Sequence, residues 1–232
     1  YGYQTVTSVE HDTTGIAGWT NLYIDTPYRR VTRTYRNDSF FSRGLLVSEV
    51  TDGFIGHDYD QALRYAELQN EYRLREVGSG DVLTDPEAIK QTLSPVFPEL
   101  GREMRRVFEG DPALSINTEV QQVYDEVGNV TQVMDLGDVG PSDDFLATIS
   151  YTGTSSGPHT GCAARHIVGL ADSILVQDSQ TATLRQREAS FDCTTGDLVE
   201  LRQRIDGAST AISSFQYNSL GNLSLATGPH NL

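Results

Sequence analysis

The chain is poor in the residues that build metal and thiol chemistry. It holds two cysteines, Cys162 and Cys193, one tryptophan and five histidines in 232 residues. The cysteines show neither a Cys-x-x-Cys pair nor a zinc-ligand spacing. A small disulfide-dense scaffold would need more of them. They could form one bridge or stay free, and the expectation is two free structural thiols. No apolar run approaches the ~18 residues that suggest a membrane helix. Residues Tyr1 to Glu10 carry no basic region followed by an apolar stretch, so no signal peptide is read there. Both ends read as cut from a longer protein, and any targeting signal is expected outside this piece. Basic residues are also scarce, 17 against 32 acidic, for a formal charge of -15. Such a surface repels nucleic acid and anionic lipid.

What is present is strand pattern. From Ala66 to Arg75, Ala66, Leu68, Tyr72 and Leu74 fall on one face, broken only by Asn70. Glu67, Gln69, Glu71, Arg73 and Arg75 fall on the other, which reads as the wet face of a sheet. Further runs rich in Val, Thr, Tyr, Ile and Phe are expected as strands. They span residues 4–9, 30–35, 45–50, 119–124, 130–136, 145–151, 173–177, 183–191, 198–205, 212–217 and 223–226. The stretch Leu100 to Phe108 is ambiguous between helix and strand and is assigned to strand. Clusters at Asp52-Gly53, Gly78-Ser79-Gly80, Gly137 to Gly140 and Asp206-Gly207 read as breaks between strands. One short helix is expected within residues 84–93. Thr84-Asp85 offers an N-cap and Pro86 the first helical position. The expected class is therefore all-β, built of antiparallel hairpins, as one region over residues 1–232 with a short helical insertion.

Three segments share a pattern. They are Tyr124-Asp125-Glu126-Val127-Gly128-Asn129-Val130, Phe191-Asp192-Cys193-Thr194-Thr195-Gly196-Asp197-Leu198 and Tyr217-Asn218-Ser219-Leu220-Gly221-Asn222-Leu223. Each runs from an aromatic residue through Asp or Asn and a short spacer to Gly and then Asn or Asp. The second copy has one extra spacer residue. The aromatic ends a strand, and the Asp or Asn bonds the backbone two residues on. Gly supplies positive φ, and Val or Leu starts the return strand.

At these residues the chain resembles the YD-repeat family, which includes Rhs proteins, Tc toxin B and C components, SpvB-type proteins and teneurins. Tyr124-Asp125 with Gly128-Asn129 matches the family motif best. The segments Ser42-Arg43-Gly44-Leu45-Leu46 to Thr51-Asp52-Gly53, and Ile167-Val168-Gly169-Leu170 to Val176-Gln177-Asp178, look like parts of the Tc B and SpvB-type shell region. The resemblance implies a spiral β-sheet wall around a toxic C-terminal polypeptide. It implies a secreted or cell-surface location. The implied partners are the remaining shell and its cargo, and edge-to-edge self-association is a further expectation. The self-cleavage signature of Rhs cores is missing: Asp85-Pro86 and Asp111-Pro112 lack its surroundings. No catalytic residue, cofactor or metal is expected.

Other residue patterns have part of the spacing that chemistry needs and lack its context. Gly153-Thr154-Ser155-Ser156-Gly157 has the spacing of a nucleophile turn, with Asp172 and His230 in the order of a triad. Pro158 to Gly161 cannot open the helix such a turn needs. His57-Asp58-Tyr59-Asp60 lacks the spacing of a calcium loop or of a zinc helix. His159 and His166 form no recognised pair. The alternative of a different class is a cell-surface adhesin or carbohydrate-binding module. Exposed Trp19, Tyr23 and Tyr28 would stack on sugars in it.

Overall fold

The computed structural model describes residues 2–11, 27–54, 62–84, 89, 93–111, 113–138, 140–153, 160–207 and 209–229. The protein is all-β; the described residues form fourteen strands, paired antiparallel. The chain divides into two compact units, residues 1–76 with 81–120 and residues 77–80 with 121–232.

The first unit carries β1 (Thr5–His11), β2 (Pro27–Arg36), β3 (Leu45–Phe54), β4 (Ala62–Glu76), β5 (Val82–Leu83) and β6 (Val96–Val107). They are hydrogen-bonded in the order β1-β2-β3-β4-β6, with β5 on β4. β7 (Ile116–Tyr124) begins in this unit. The second unit carries β8 (Val130–Asp135), β9 (Phe145–Tyr151), β10 (Ala171–Asp178), β11 (Thr183–Phe191), β12 (Leu198–Arg204), β13 (Thr210–Tyr217) and β14 (Leu223–Thr227). These follow one another in sequence order, each strand beside the next. Leu100 to Phe108 is strand but for Phe108, within or beside β6. The helix expected within residues 84–93 lies mostly outside the described residues, although Ile89 is helical and buried.

The core is small. Among the described residues, the buried apolar side chains are Pro27, Val31, Leu74, Ile89 and Cys162. The chain exposes 14880 Å².

Charge pairing stands where apolar packing is thin. The carboxylate of Asp52 on β3 sits between Arg30 of β2, at 2.9 Å, and Arg64 of β4, at 2.8 Å. The register places the three side by side, Arg30 opposite Asp52 and Asp52 opposite Arg64. Arg30 also lies over the Phe54 ring, 5.4 Å from its centroid. Further along β4, Glu67 meets Arg64 and Arg106, and Arg102 meets both Glu71 and Glu119. Glu99 on β6, 2% exposed, takes Arg75 at 2.7 Å and Arg73 at 3.3 Å.

Two expectations change here. The charged face of β4 is not simply wet. Its Glu67 and Arg75 side chains are 16% exposed, because opposite charges on neighbouring strands cover each other. Asp52-Gly53 is not a break but the interior of β3. Two arginines satisfy the Asp52 carboxylate across the sheet. Gly53 fits because the Tyr65 ring occupies the place a Cβ would take. On the opposite face of β4, Asn70 interrupts the apolar stripe and donates to the carbonyl of Leu46 at 2.9 Å.

The β2–β3 connection is pinned by Asp38. It accepts from the Arg36 guanidinium at 2.8 Å and from the hydroxyl of Ser42, which is fully buried. The Gly44 amide donates to the Arg36 carbonyl and to Asn37 Oδ1. The Ser-Arg-Gly segment noted in the sequence is thus a hydrogen-bonded turn.

Two outcomes follow. Glu99→Ala removes the buried carboxylate that Arg73 and Arg75 share, and urea unfolding is expected to show a loss of about 3 kcal/mol. The Arg36 hydrogen bond, with that of Ser42, holds the Asp38 pKa down at about 2 against an ordinary 3.8. A depressed carboxylate stabilises above its unfolded pKa and loses that contribution as pH falls through its folded one. Asp38→Asn is therefore expected to flatten the stability profile between pH 4 and 2 and leave its shape above pH 5 unchanged.

Candidate functional site

The motif turns share one hydrogen-bond plan. In the first, the Asp125 amide donates to the Asn129 carbonyl at 2.9 Å and the Gly128 amide to the Asp125 carbonyl at 3.3 Å. The side-chain oxygen Oδ1 of Asp125 accepts the amides of Val127 at 3.0 Å and Asn129 at 2.9 Å. In the third, Asn218 donates to the Asn222 carbonyl, and its Oδ1 accepts the amides of Leu220 and Asn222 at 2.9 and 3.0 Å. An acceptor oxygen is all the position needs, so neutral Asn serves as well as Asp. The glycines take the left-handed backbone that closes the loop, φ 97° at Gly128 and 78° at Gly221.

The second turn absorbs its extra residue. Asp192 donates to the Asp197 carbonyl at 2.9 Å, and Gly196 donates to Asp192 at 2.7 Å. Asp192 Oδ1 accepts the Thr194 amide at 2.6 Å. The second amide of the plan, that of Asp197, goes instead to the Thr195 hydroxyl, which in turn donates to Asp197 Oδ2. The Thr194 amide is the largest influence holding the Asp192 carboxyl below its ordinary pKa, with Arg165 adding to it. The aromatics Tyr124, Phe191 and Tyr217 are half-buried, and the Tyr124 hydroxyl donates to Gln122 at 2.6 Å.

A fourth turn follows the plan without its sequence. Asp178 donates to the Ala182 carbonyl at 3.0 Å, and its Oδ1 accepts the amides of Gln180 and Ala182 at 2.9 and 2.8 Å. Gln177 stands where the aromatic would be. Thr181, at φ 67°, stands where the glycine would be. The spaced Asp178 is the one signal that sequence reading had for it.

One loop joins the first two motif turns. Cys162, in a short 3-10 helix at Thr160–Arg165, is bonded to Cys193 in the second turn, with Cα atoms 4.5 Å apart. The cysteines are therefore not free thiols. A separation of 31 residues along the chain hid a contact that the β10–β11 hairpin brings together. Past the cysteine, the Asn129 amide group donates to the Val168 carbonyl at 2.7 Å. Thr152, fully buried, donates its amide to Leu170 and its hydroxyl to Ile167. Tyr151 donates to the Val130 carbonyl at 3.0 Å. The Gly78 amide donates to the Glu126 carbonyl of the first turn. The third turn and its strand β14 are exposed from Asn218 to Ala226.

The other candidates do not assemble. Ser155, His159, His230, Trp19, Tyr23, Asp85, Pro86, Pro112 and residues 57–60 lie outside the described residues. Asp172 is buried in β10 and accepts the hydroxyl of Ser150. Tyr28 is exposed, and its hydroxyl donates to Glu10 at 2.7 Å. His166 is an exposed residue with φ 58°. No cluster of three or more metal-binding side chains occurs among the described residues.

The closing position of the turn gives a test with opposite signs at two sites. A β-branched residue at positive φ is strained. Thr181→Gly is expected to stabilise by about 0.5 kcal/mol, the strain relief exceeding the added freedom of the unfolded chain. Gly221→Ala is expected to destabilise by about 1 kcal/mol. Urea midpoints at constant slope measure both.

No family model and no curated protein matches the chain. Among solved structures, a porin-like protein from Bacteroides uniformis aligns over 94% of this chain and 61% of its own, at 9% identity and TM-score 0.31. The Tc holotoxin pore of Photorhabdus luminescens aligns over 97% of this chain and 12% of its own, at 11% identity and TM-score 0.28. TcdB2-TccC3-TEV aligns over 88% and 10%, at 13% identity and TM-score 0.20. The chain thus spans less than two thirds of each of these proteins.

Proposed function

We propose that this chain is a non-catalytic wall segment of a secreted bacterial YD-repeat shell, of Rhs or Tc type, that encloses or delivers a toxic C-terminal polypeptide. The observation that carries the reading is the shared turn plan. Asp125, Asn218 and, with one residue inserted, Asp192 close hairpins by the same backbone bonds and by a side-chain oxygen that accepts the amide two residues on. The three copies that suggested the family thus share a turn geometry as well as a sequence pattern, which supports the reading.

Three further features support it. The strands of the second unit run up and down in sequence order, as a wall built by adding hairpins would. The disulfide suits an oxidising compartment and hence secretion or the cell surface. β14 pairs with β13 alone among the described residues, and its sequence Leu-Ser-Leu-Ala-Thr holds none of the charges or prolines that blunt an edge. In this reading that edge pairs with a neighbouring strand of the shell.

The test is limited proteolysis of the full-length parent protein, followed by mass spectrometry. A polypeptide beyond the repeat region is expected to survive protease at concentrations that degrade it once released. A parent with no shielded segment overturns the proposal, and specific hits on a glycan array would favour the surface-module reading instead.

A further inference from the structure

We propose that the Cys162–Cys193 disulfide is a redox-sensitive clasp. It fixes the segment 161–166 onto the second motif turn and releases that segment, without unfolding the sheet, when it is reduced.

The two halves of one loop are held differently. Residues 167–170 are anchored by hydrogen bonds that no reductant touches. Thr152 holds Ile167 and Leu170, and Asn129 holds Val168. The preceding residues are anchored otherwise. Gly161 and Ala163 to His166 are exposed, and Cys162 alone among them is buried. The backbone bonds of this stretch, His166 to Ala163 and Ile167 to Cys162, close the turn on itself rather than onto the sheet. Arg165 lies close enough to Asp192 to lower its pKa, but both groups meet solvent, where such an attraction is weak. The covalent bond is thus the main tie between the 3-10 helix and the 191–198 turn.

The strands on either side do not depend on it. β10 and β11 pair through Ser173–Glu188 to Gln177–Thr183, and β11 and β12 through Arg187–Gln203 to Phe191–Leu198. The second turn keeps its own closure through Asp192, Thr194 and Thr195. Breaking the bond removes the tie between the two turns: the second motif turn stays closed, and the 3-10 turn, no longer held to it, opens at the His166 and Ile167 amides.

The chemistry balances with a dithiol as reductant. Its thiolate attacks the sulfur of Cys193, the half-buried partner, and the S–S electron pair leaves on the sulfur of fully buried Cys162. The second thiol of the reductant then displaces Cys193 and closes a disulfide with the first. Two electrons pass to the protein, and the two protons of the reductant end on the two cysteines. A chain passing from an oxidising to a reducing compartment would meet such dithiols.

Hydrogen exchange resolved by residue tests this on the whole chain, with and without dithiothreitol. Reduction is expected to speed exchange at the His166 and Ile167 amides at least tenfold. The Thr152 amide and the β10–β12 ladder should keep their protection. Cys162→Ser with Cys193→Ser should reproduce that pattern without reductant. Asn129→Ala should have little effect on the oxidised protein and should extend the fast exchange toward Val168 in the reduced one. Unchanged exchange at His166 and Ile167 on reduction would overturn the clasp. So would joint loss of protection across β9 to β12, or an unfolded double variant, either of which would make the bond a staple of the fold.

Discussion

Antiparallel strands stay in register when something penalises a slip by one residue. In most sheets that penalty comes from a buried face, since a slip turns every apolar side chain toward water. Here few apolar side chains are buried, so the constraint falls on bonds between named polar partners. In the first unit, Asp52 between Arg30 and Arg64 and Glu99 against Arg73 and Arg75 do this work across β2, β3, β4 and β6. A one-residue slip would carry each buried carboxylate to the face opposite its arginines, and an unpaired charge out of water is costly. Asn70 adds a polar mark on the other face by bonding the backbone of β3.

In the second unit the same constraint is met at the strand ends. A side-chain oxygen that accepts two amides sets the number of residues in the turn, and that number sets the register of the strands beyond it. The second motif turn shows how far the rule bends. An inserted residue displaces one accepted amide, and the Thr195 hydroxyl takes it up. The Asp178 turn bends it in another direction, keeping the acceptor and letting Thr181 adopt the backbone of a glycine.

The fold class and most strands were legible because their signals are local. Alternation from Ala66 to Arg75 is visible in any short window, and aromatic-Asx-glycine spacing marks three turns directly. What stayed hidden is what acts across strands. Asp52-Gly53 reads as a break because its arginines are contributed by β2 and β4. The disulfide was unreadable because only the folded β10–β11 hairpin brings Cys162 to Cys193. The turn at Asp178 was missed because the sequence shows a threonine where the rule asks for glycine. Asn129 was legible as a turn residue, but its bond to Val168 was not, since that partner lies 39 residues away.

The disulfide also has a mechanical meaning. A polypeptide drawn lengthwise gains roughly 3.3–3.6 Å per residue as its structure is pulled out. Between Cys162 and Cys193 the closed bond takes 31 residues out of that count. It withholds on the order of 100 Å of reach from any force applied at the chain ends. A passage wide enough for one extended strand would stall at this point, where three strands' width of backbone must enter side by side. Reduction restores a single thread.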